Sequence, residues 1–171
     1  ATVPSSAVLE FLTAARAAER QNFSGAEAAK LLAALGVAMP FEAAESASQR
    51  QSDGVELCVD IHNDPILGPV LSVGPAGDWP EALNDRALAP LPMPRDLAIR
   101  SMKSLKSWPL LARNCDDAAI AAAGAAIENL GSGVLMLKDS FAHAAVTLRL
   151  SPHGQARVTS ADIALTNRSS V

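Results

Sequence analysis

The spacing of apolar residues along the chain switches between a helical and a strand-like period. Residues 6–20 are rich in helix formers and predict a helix with Leu9, Leu12 and Ala15 turned inward. Residues 24–36 carry a stronger signal. Ser24 and Glu27 stand at capping-box spacing. Ala28, Leu31, Leu32 and Leu35 recur at helical intervals, and Gly36 stands where a C-terminal glycine cap belongs. The small polar run 43–54 reads as a linker. Residues 55–62 then alternate strictly, with Val55, Leu57, Val59 and Ile61 facing one way and Glu56, Cys58, Asp60 and His62 the other, the pattern of a half-buried strand. Asn63-Asp64-Pro65 is a turn signal. Residues 69–73 predict a second strand, and Gly74 to Gly77 a loop.

In the second half, Pro90, Pro92 and Pro94 punctuate an extended connection. A helix is predicted from Arg95 to Ser107, with Leu97, Met102 and Leu105 inward and Pro109 as its stop. Asp116 or Asp117 caps another helix that runs through Ile120, Ile127 and Leu130 and ends at Gly131. Strands are expected at 133–138, 144–150 and 156–165, the last two joined by a turn at Pro152, His153 and Gly154. The order helix, helix, strands, helix, helix, strands describes an α+β domain, a mixed or antiparallel sheet packed with helices. No internal repeat is visible.

Composition narrows the function classes. The chain has 171 residues, enough for one compact domain with a core. Aromatics make up only 4% and tyrosine is absent, so the core must be built from Leu, Val, Ile and Ala. The net charge is -4, and no basic patch interleaved with aromatics occurs, so nucleic acid is not an expected partner. Cys58 and Cys115 belong to no CxxC pair or Cys/His cluster and read as reduced thiols of a cytoplasmic protein. No apolar run is expected to reach the roughly 18 residues that span a membrane. The first residues lack the basic start and apolar stretch of a signal peptide. The expectation is a cytoplasmic protein with no membrane partner.

Few residues suggest chemistry by themselves. Glu56, Asp60, His62 and Asp64 fall on one strand face or at its end, and alternating histidine and carboxylates suit a divalent metal. A solvated polar face is the commoner outcome for such a strand. Gly74 to Gly77 has the glycine spacing of a phosphate loop, but a lone G-x-x-G more often marks a turn. His143 and His153 have no serine, cysteine or carboxylate at a telling spacing. Trp79 and Trp108, each beside a proline, read as packing or interface residues.

The run Gly54-Val-Glu-Leu-Cys-Val-Asp-Ile-His-Asn-Asp-Pro-Ile-Leu-Gly-Pro-Val70 resembles a signature of ADP-forming acyl-CoA synthetases, G-V-E-hydrophobic-hydrophobic-V-G-I-x-x-D-P-x-F-G-P-V. Leu71 to Gly77 is similar to the strand and glycine-rich loop that follow it, and Leu88 to Leu91 to the family's R-L-A-P-L. Residues 24–40 resemble the family's opening helix, and Val146 to Leu165 its closing hairpin, so the likeness covers residues 22–166. The resemblance implies a partial ATP-grasp-like domain at 23–171, preceded by an N-terminal helix within 1–22. It implies residual nucleotide- or ligand-binding positions at Glu56, Asp64, Gly68 and Gly77.

The departures from that family bear on activity. Its lysine-bearing strand and its histidine- and glycine-containing loop, implied to grip and relay phosphate, have no counterpart at the gap near 48–54. Its metal-binding asparagine falls on Val146. Its second metal ligand, an aspartate, falls on Ser160 after one inserted residue, or near Asp162 under a shifted register. Phosphoryl transfer depends on positioned positive charge and on Mg²⁺ held by oxygen ligands, and valine offers no oxygen. The expectation is a degenerate domain, non-catalytic alone, acting as a structural or regulatory subunit. No catalytic or metal-binding residue is assigned, and ATP or ADP with Mg²⁺ is expected only where a partner completes the site. The alternative is a split subunit of an active ADP-forming acyl-CoA synthetase, and a binding module for nucleotide or acyl-CoA is a third reading. Loss of a sheet-bearing segment is expected to leave edges and apolar surface to cover, which predicts a homo-oligomer or a CoA-binding synthetase subunit as partner.

Overall fold

In the computed structural model the chain is described over residues 6–37, 40–42, 54–77, 84–137, 140–152 and 154–166. The elements in order are α1 (Ser6–Ala17), β1 (Asn22–Ser24), α2 (Gly25–Ala34), β2 (Val55–Asp64), β3 (Gly68–Pro75), β4 (Ala87–Pro90), α3 (Arg95–Lys103), α4 (Trp108–Asn114), α5 (Asp117–Leu137), β5 (Phe141–Leu150) and β6 (Ala156–Leu165). The strands form one six-stranded sheet in the order β1-β6-β5-β2-β3-β4, antiparallel throughout. The α+β class holds, and of the two sheet types expected the antiparallel one is found.

The strict alternation of β2 places Leu57, Val59 and Ile61 wholly out of water against the helices. Leu71 and Val73 of β3 join them, with Met102, Leu111 and Ile127 descending from α3, α4 and α5. Helix α2 packs on β6, α3 on β3 and β4, and α5 on β5 and β6. The hydrophobic layer therefore lies on one side of the sheet, and the opposite face of the central strands is polar.

The first helix is rotated from its expected face. Leu9 is 51% exposed, while Val8 and Ala15 are buried and Phe11 meets Phe23 at 4.9 Å between ring centroids. Positions 8, 11, 12 and 15 make the helical stripe, and the aromatic pair fixes which stripe wins. Ser24 caps nothing with its side chain, because it is still the last residue of β1 and pairs with Asp162. Glu27 instead binds the Arg20 guanidinium through both oxygens, at 2.9 and 2.6 Å. The glycine at the other end behaves as expected. Gly36 has φ +89°, its N–H donates to Ala33 O at 3.1 Å, and the Val37 N–H donates to Leu32 O at 2.9 Å. That is the Schellman arrangement, with Val37 and Leu32 both buried beside it.

Three boundaries in the second helical region differ from expectation. The helix at Arg95 ends at Lys103, and Pro109 opens α4 rather than stopping α3. In a first helical turn the missing N–H removes no bond. The next helix is capped by Asp116, whose Oδ1 accepts the Ala119 N–H at 2.7 Å, but it does not end at Gly131. It continues to Leu137, so the strand expected over 133–138 is its last turn and a half as far as the described residues go. Gly124, Gly131 and Gly133 lie where Ile99, Leu91 and Leu35 press on the helix, so these are contact glycines and not caps. Read whole, α5 is long and apolar enough by length and composition to cross a membrane, contrary to expectation. It is the central core helix here, with 56% of its most apolar window buried inside the fold.

The strand Ala87–Pro90 is not among the strands the sequence predicts; only its last residue, Pro90, belongs to the segment read as an extended connection. Trp108 is partly buried against the core, with Lys103 Nζ 5.8 Å from the centre of its ring. Cys115 is buried, Cys58 is half-buried, and both are free thiols. The linker over 43–53, Trp79 and His153 lie outside the described residues.

Candidate ligand-binding face

The polar face is built from strand alternation and register. Along β2, Glu56 lies opposite Arg149 of β5, Cys58 between Thr147 and Gly74, Asp60 between Ala145 and Ser72, and His62 between His143 and Val70. Most of the charged groups here neutralise one another. Arg149 Nη2 donates to Glu56 Oε1 at 2.9 Å. Arg86 Nη1 donates to Asp60 Oδ2 and, at 3.3 Å, to Ser72 Oγ. The Cys58 thiol donates to Asp60 Oδ2 at 3.5 Å. Burial, then the negative charge of Asp60 and this hydrogen bond, push the thiol up to about 11, with Arg86 pulling the other way. Cys58 is therefore protonated at neutral pH and a poor nucleophile.

The four positions implied by resemblance do not converge. Asp64 closes the β2–β3 hairpin, its Oδ1 accepting the N–H groups of Ile66 and Leu67 at 2.8 Å each. The Leu67 bond, then the Ile66 bond, holds its carboxyl below the usual carboxylate value. Gly68 pairs with Asp64 across the same hairpin and takes φ +76°, a conformation that favours glycine. Glu56 and Gly77 sit at the other end, where the Ala76 N–H donates to Glu56 O at 2.9 Å. The two pairs are separated by roughly 26 Å, eight residues at about 3.3 Å each. Gly74, the other glycine of the candidate phosphate loop, lies within β3, where a Cβ would come 2.5 Å from the Asp85 carbonyl oxygen. Its role is close packing.

Val146 is 2% exposed and pairs with Val59 and Ala161 on the helix side of the sheet. Ser160 stands exposed on the opposite face across from Thr147. The ladder shifts register beside it, leaving Thr159 as the extra residue with its Oγ1 donating to Thr147 O at 3.4 Å. This is a β-bulge, which changes the side to which β6 presents its residues. Asp162 follows on the polar face, between Ala145 of β5 and Ser24 of β1. Asn22, Ser24, His143 and Asp162 border a pocket of about 340 Å³ there. A larger cleft of about 660 Å³ lies between Ala122, Ala126 and Asn129 of α5 and the start of β6, where Arg157 is engaged by Glu42 and Gln155.

Among the described residues no three histidine, cysteine or carboxylate side chains converge to hold a metal. Asp60, His62 and Asp64 follow the alternation predicted for a metal-binding strand, but Arg86 and the hairpin turn occupy the two carboxylates. The sequence does not show that His143, unremarkable by spacing, is the cross-strand partner of His62. The polar phase of β2 is legible in the sequence; its register against β5 is not.

An antiparallel sheet with helices on one face and a polar face opposite, carrying the hairpin and closing strands described above, defines an α+β domain of the ATP-grasp type. The chain belongs to the ATP-grasp family: the model of the ATP-grasp domain matches residues 45–134. Among solved structures, PH1788 from Pyrococcus horikoshii aligns with a TM-score of 0.78 at 15% identity, over 95% of this chain and 99% of that one. The dinucleotide forming acetyl-coenzyme A synthetase 1 of Ca. Korarchaeum cryptofilum, in its apo form, aligns with a TM-score of 0.75 at 18% identity, over 93% of this chain and 100% of that one. The same enzyme in complex with coenzyme A and Ca-AMPCP aligns with a TM-score of 0.75 at 17% identity, over 92% and 99%. At these identities the likeness is one of fold, and it agrees with the acyl-CoA synthetase signature in Gly54 to Val70. No curated protein matches the chain.

Proposed function

We propose that this chain is an ATP-grasp-like domain that does not make acyl-CoA by itself and serves as a structural or regulatory component of an acyl-CoA synthetase-like assembly. One observation carries this reading. The guanidinium groups of Arg86 and Arg149 on the polar face are engaged by Asp60 and Glu56, and Val146, at the position implied for a metal ligand, is turned into the core. A triphosphate needs uncompensated positive charge and oxygen-ligated Mg²⁺. Isothermal titration with Mg·ATP and Mg·ADP tests it. The expected result is no binding at micromolar concentrations, and micromolar binding of either nucleotide overturns the reading. The expected setting is cytoplasmic, with a second copy or a CoA-binding synthetase subunit as partner. A strict monomer in light scattering that also fails to bind such a subunit counts against the structural role.

A second reading is favoured by the end-to-end alignment with a chain of the Korarchaeum synthetase. On that reading the protein is a split subunit completed by a partner that supplies the phosphate-gripping groups, with Glu56 and Gly77 at one end of the face, and Asp64 and Gly68 at the other, as residual contacts. ATP-dependent thioester formation that appears only on mixing with a CoA-binding subunit, and drops with Glu56→Gln, separates this reading from the first.

A further inference from the structure

We infer that His62 and His143 form a cross-strand site for a divalent transition-metal ion, of which Zn²⁺ is the probe. The two residues are direct partners in the β2–β5 ladder and both are exposed on the polar face. Side chains directly opposite in an antiparallel pair leave the same side of the sheet with Cβ atoms about 5 Å apart. Two imidazoles rooted that closely can each place a nitrogen at the roughly 2.0–2.1 Å that zinc requires. Among the described residues neither imidazole is committed to a hydrogen bond.

The surrounding groups select the kind of ion. Asp60 is bound by Arg86, and Asp64 Oδ1 accepts two backbone N–H groups that tie its carboxylate to the hairpin turn, so no oxygen-rich cage is built here. Cys58 lies four residues back along β2, and its thiol is held protonated. What is left is a pair of nitrogens, which suits zinc, copper or nickel and not Mg²⁺. No third histidine, cysteine or carboxylate converges with them among the described residues, so water completes the coordination shell. The 340 Å³ pocket that His143 and Asp162 both line borders the site on its β6 side and has room for water. A bound ion would tie β2 to β5 at the end of their ladder. The site does not depend on whether nucleotide binds.

The test uses the full chain with Zn²⁺ and, as contrast, Mg²⁺ in isothermal titration and thermal melting. One zinc per chain at micromolar affinity, with a rise in Tm, is expected, and no heat with Mg²⁺. His62→Gln and His143→Gln should each weaken zinc binding by about tenfold or more, a loss at least as large as those seen for outer-shell changes. His153→Gln should leave it unchanged. Both histidines are exposed, so circular dichroism of the variants should match the parent. Failure to bind zinc at a hundred micromolar, or undiminished affinity in either His62→Gln or His143→Gln, overturns the proposal.

Discussion

Gly133 of α5 sits against Leu35, the residue that closes α2: a Cβ at Gly133 would lie 2.7 Å from the Leu35 Cβ and 3.1 Å from its carbonyl oxygen. Neither atom can swing away, because Leu35 is buried and its backbone belongs to the Schellman turn. Gly133→Ala should therefore destabilise the fold even though alanine is the better helix former. Overpacking of about 1–3 kcal/mol is set against up to about 1 kcal/mol of helix propensity, leaving a net loss of up to about 2 kcal/mol. Gly131→Ala meets only the far methyl of Leu91, at 2.8 Å, and should be near neutral. Urea unfolding of the two variants side by side checks the contrast.

Asp85 is 4% exposed and joins the start of β4 to the turn before α4, accepting the Lys106 N–H at 2.7 Å and the Ser107 N–H at 2.8 Å. Burial alone would raise its carboxyl. The Lys106 and Ser107 N–H groups offset that and hold it below the usual value. A carboxyl lowered on folding stabilises fully above its unfolded value, about 3.9, and the gain disappears as pH falls through the lower folded value. Asp85→Ala should lose about 1–3 kcal/mol at neutral pH, with buried donors left unpaired. The difference from the parent should shrink in melts carried below about pH 3.

The Cys58 thiol should react slowly with iodoacetamide at pH 7.5, its rate still climbing toward the value of about 11 that burial and Asp60 impose. Asp60→Asn removes the second of these causes while Arg86 keeps its charge. Labelling should then be faster at every pH below the midpoint, without reaching the rate of an unburied thiol, because burial remains the larger cause. An unchanged pH profile would show that Asp60 does not act on the thiol.

Asp116 is exposed, so its contribution is that of a cap and not of packing. Replacing it with alanine removes the bond to the Ala119 N–H and should destabilise the protein by about 1 kcal/mol. Asp117→Ala, which loses only a favourable charge in the first turn, should lose less than half of that. Thermal melts of the pair measure the difference.

Local patterns succeeded where a single element decides the outcome. The alternation of Leu57, Val59 and Ile61 needs only a sheet with one buried face, and Gly36 needs only a helix end with a left-handed residue after it. They failed where a distant segment overrides the local signal. Gly131 looks like a helix stop because glycine lowers helix propensity, yet the helix runs on to Leu137 with the Leu91 side chain packed over that position. Ser24 and Glu27 have capping-box spacing, but β6 claims the Ser24 backbone and Arg20 claims the Glu27 carboxylate.

The sequence by itself determined most of the helical and extended segments, the polar phase of β2, and a kinship carried by Gly54 to Val70, because each is written in neighbouring residues. Only the tertiary structure decided which polar residues meet. Strand register is set by how the whole sheet docks on its helices, so His62 finds His143, Asp60 finds Arg86, and Val146 turns inward for reasons remote from their own neighbours in the chain.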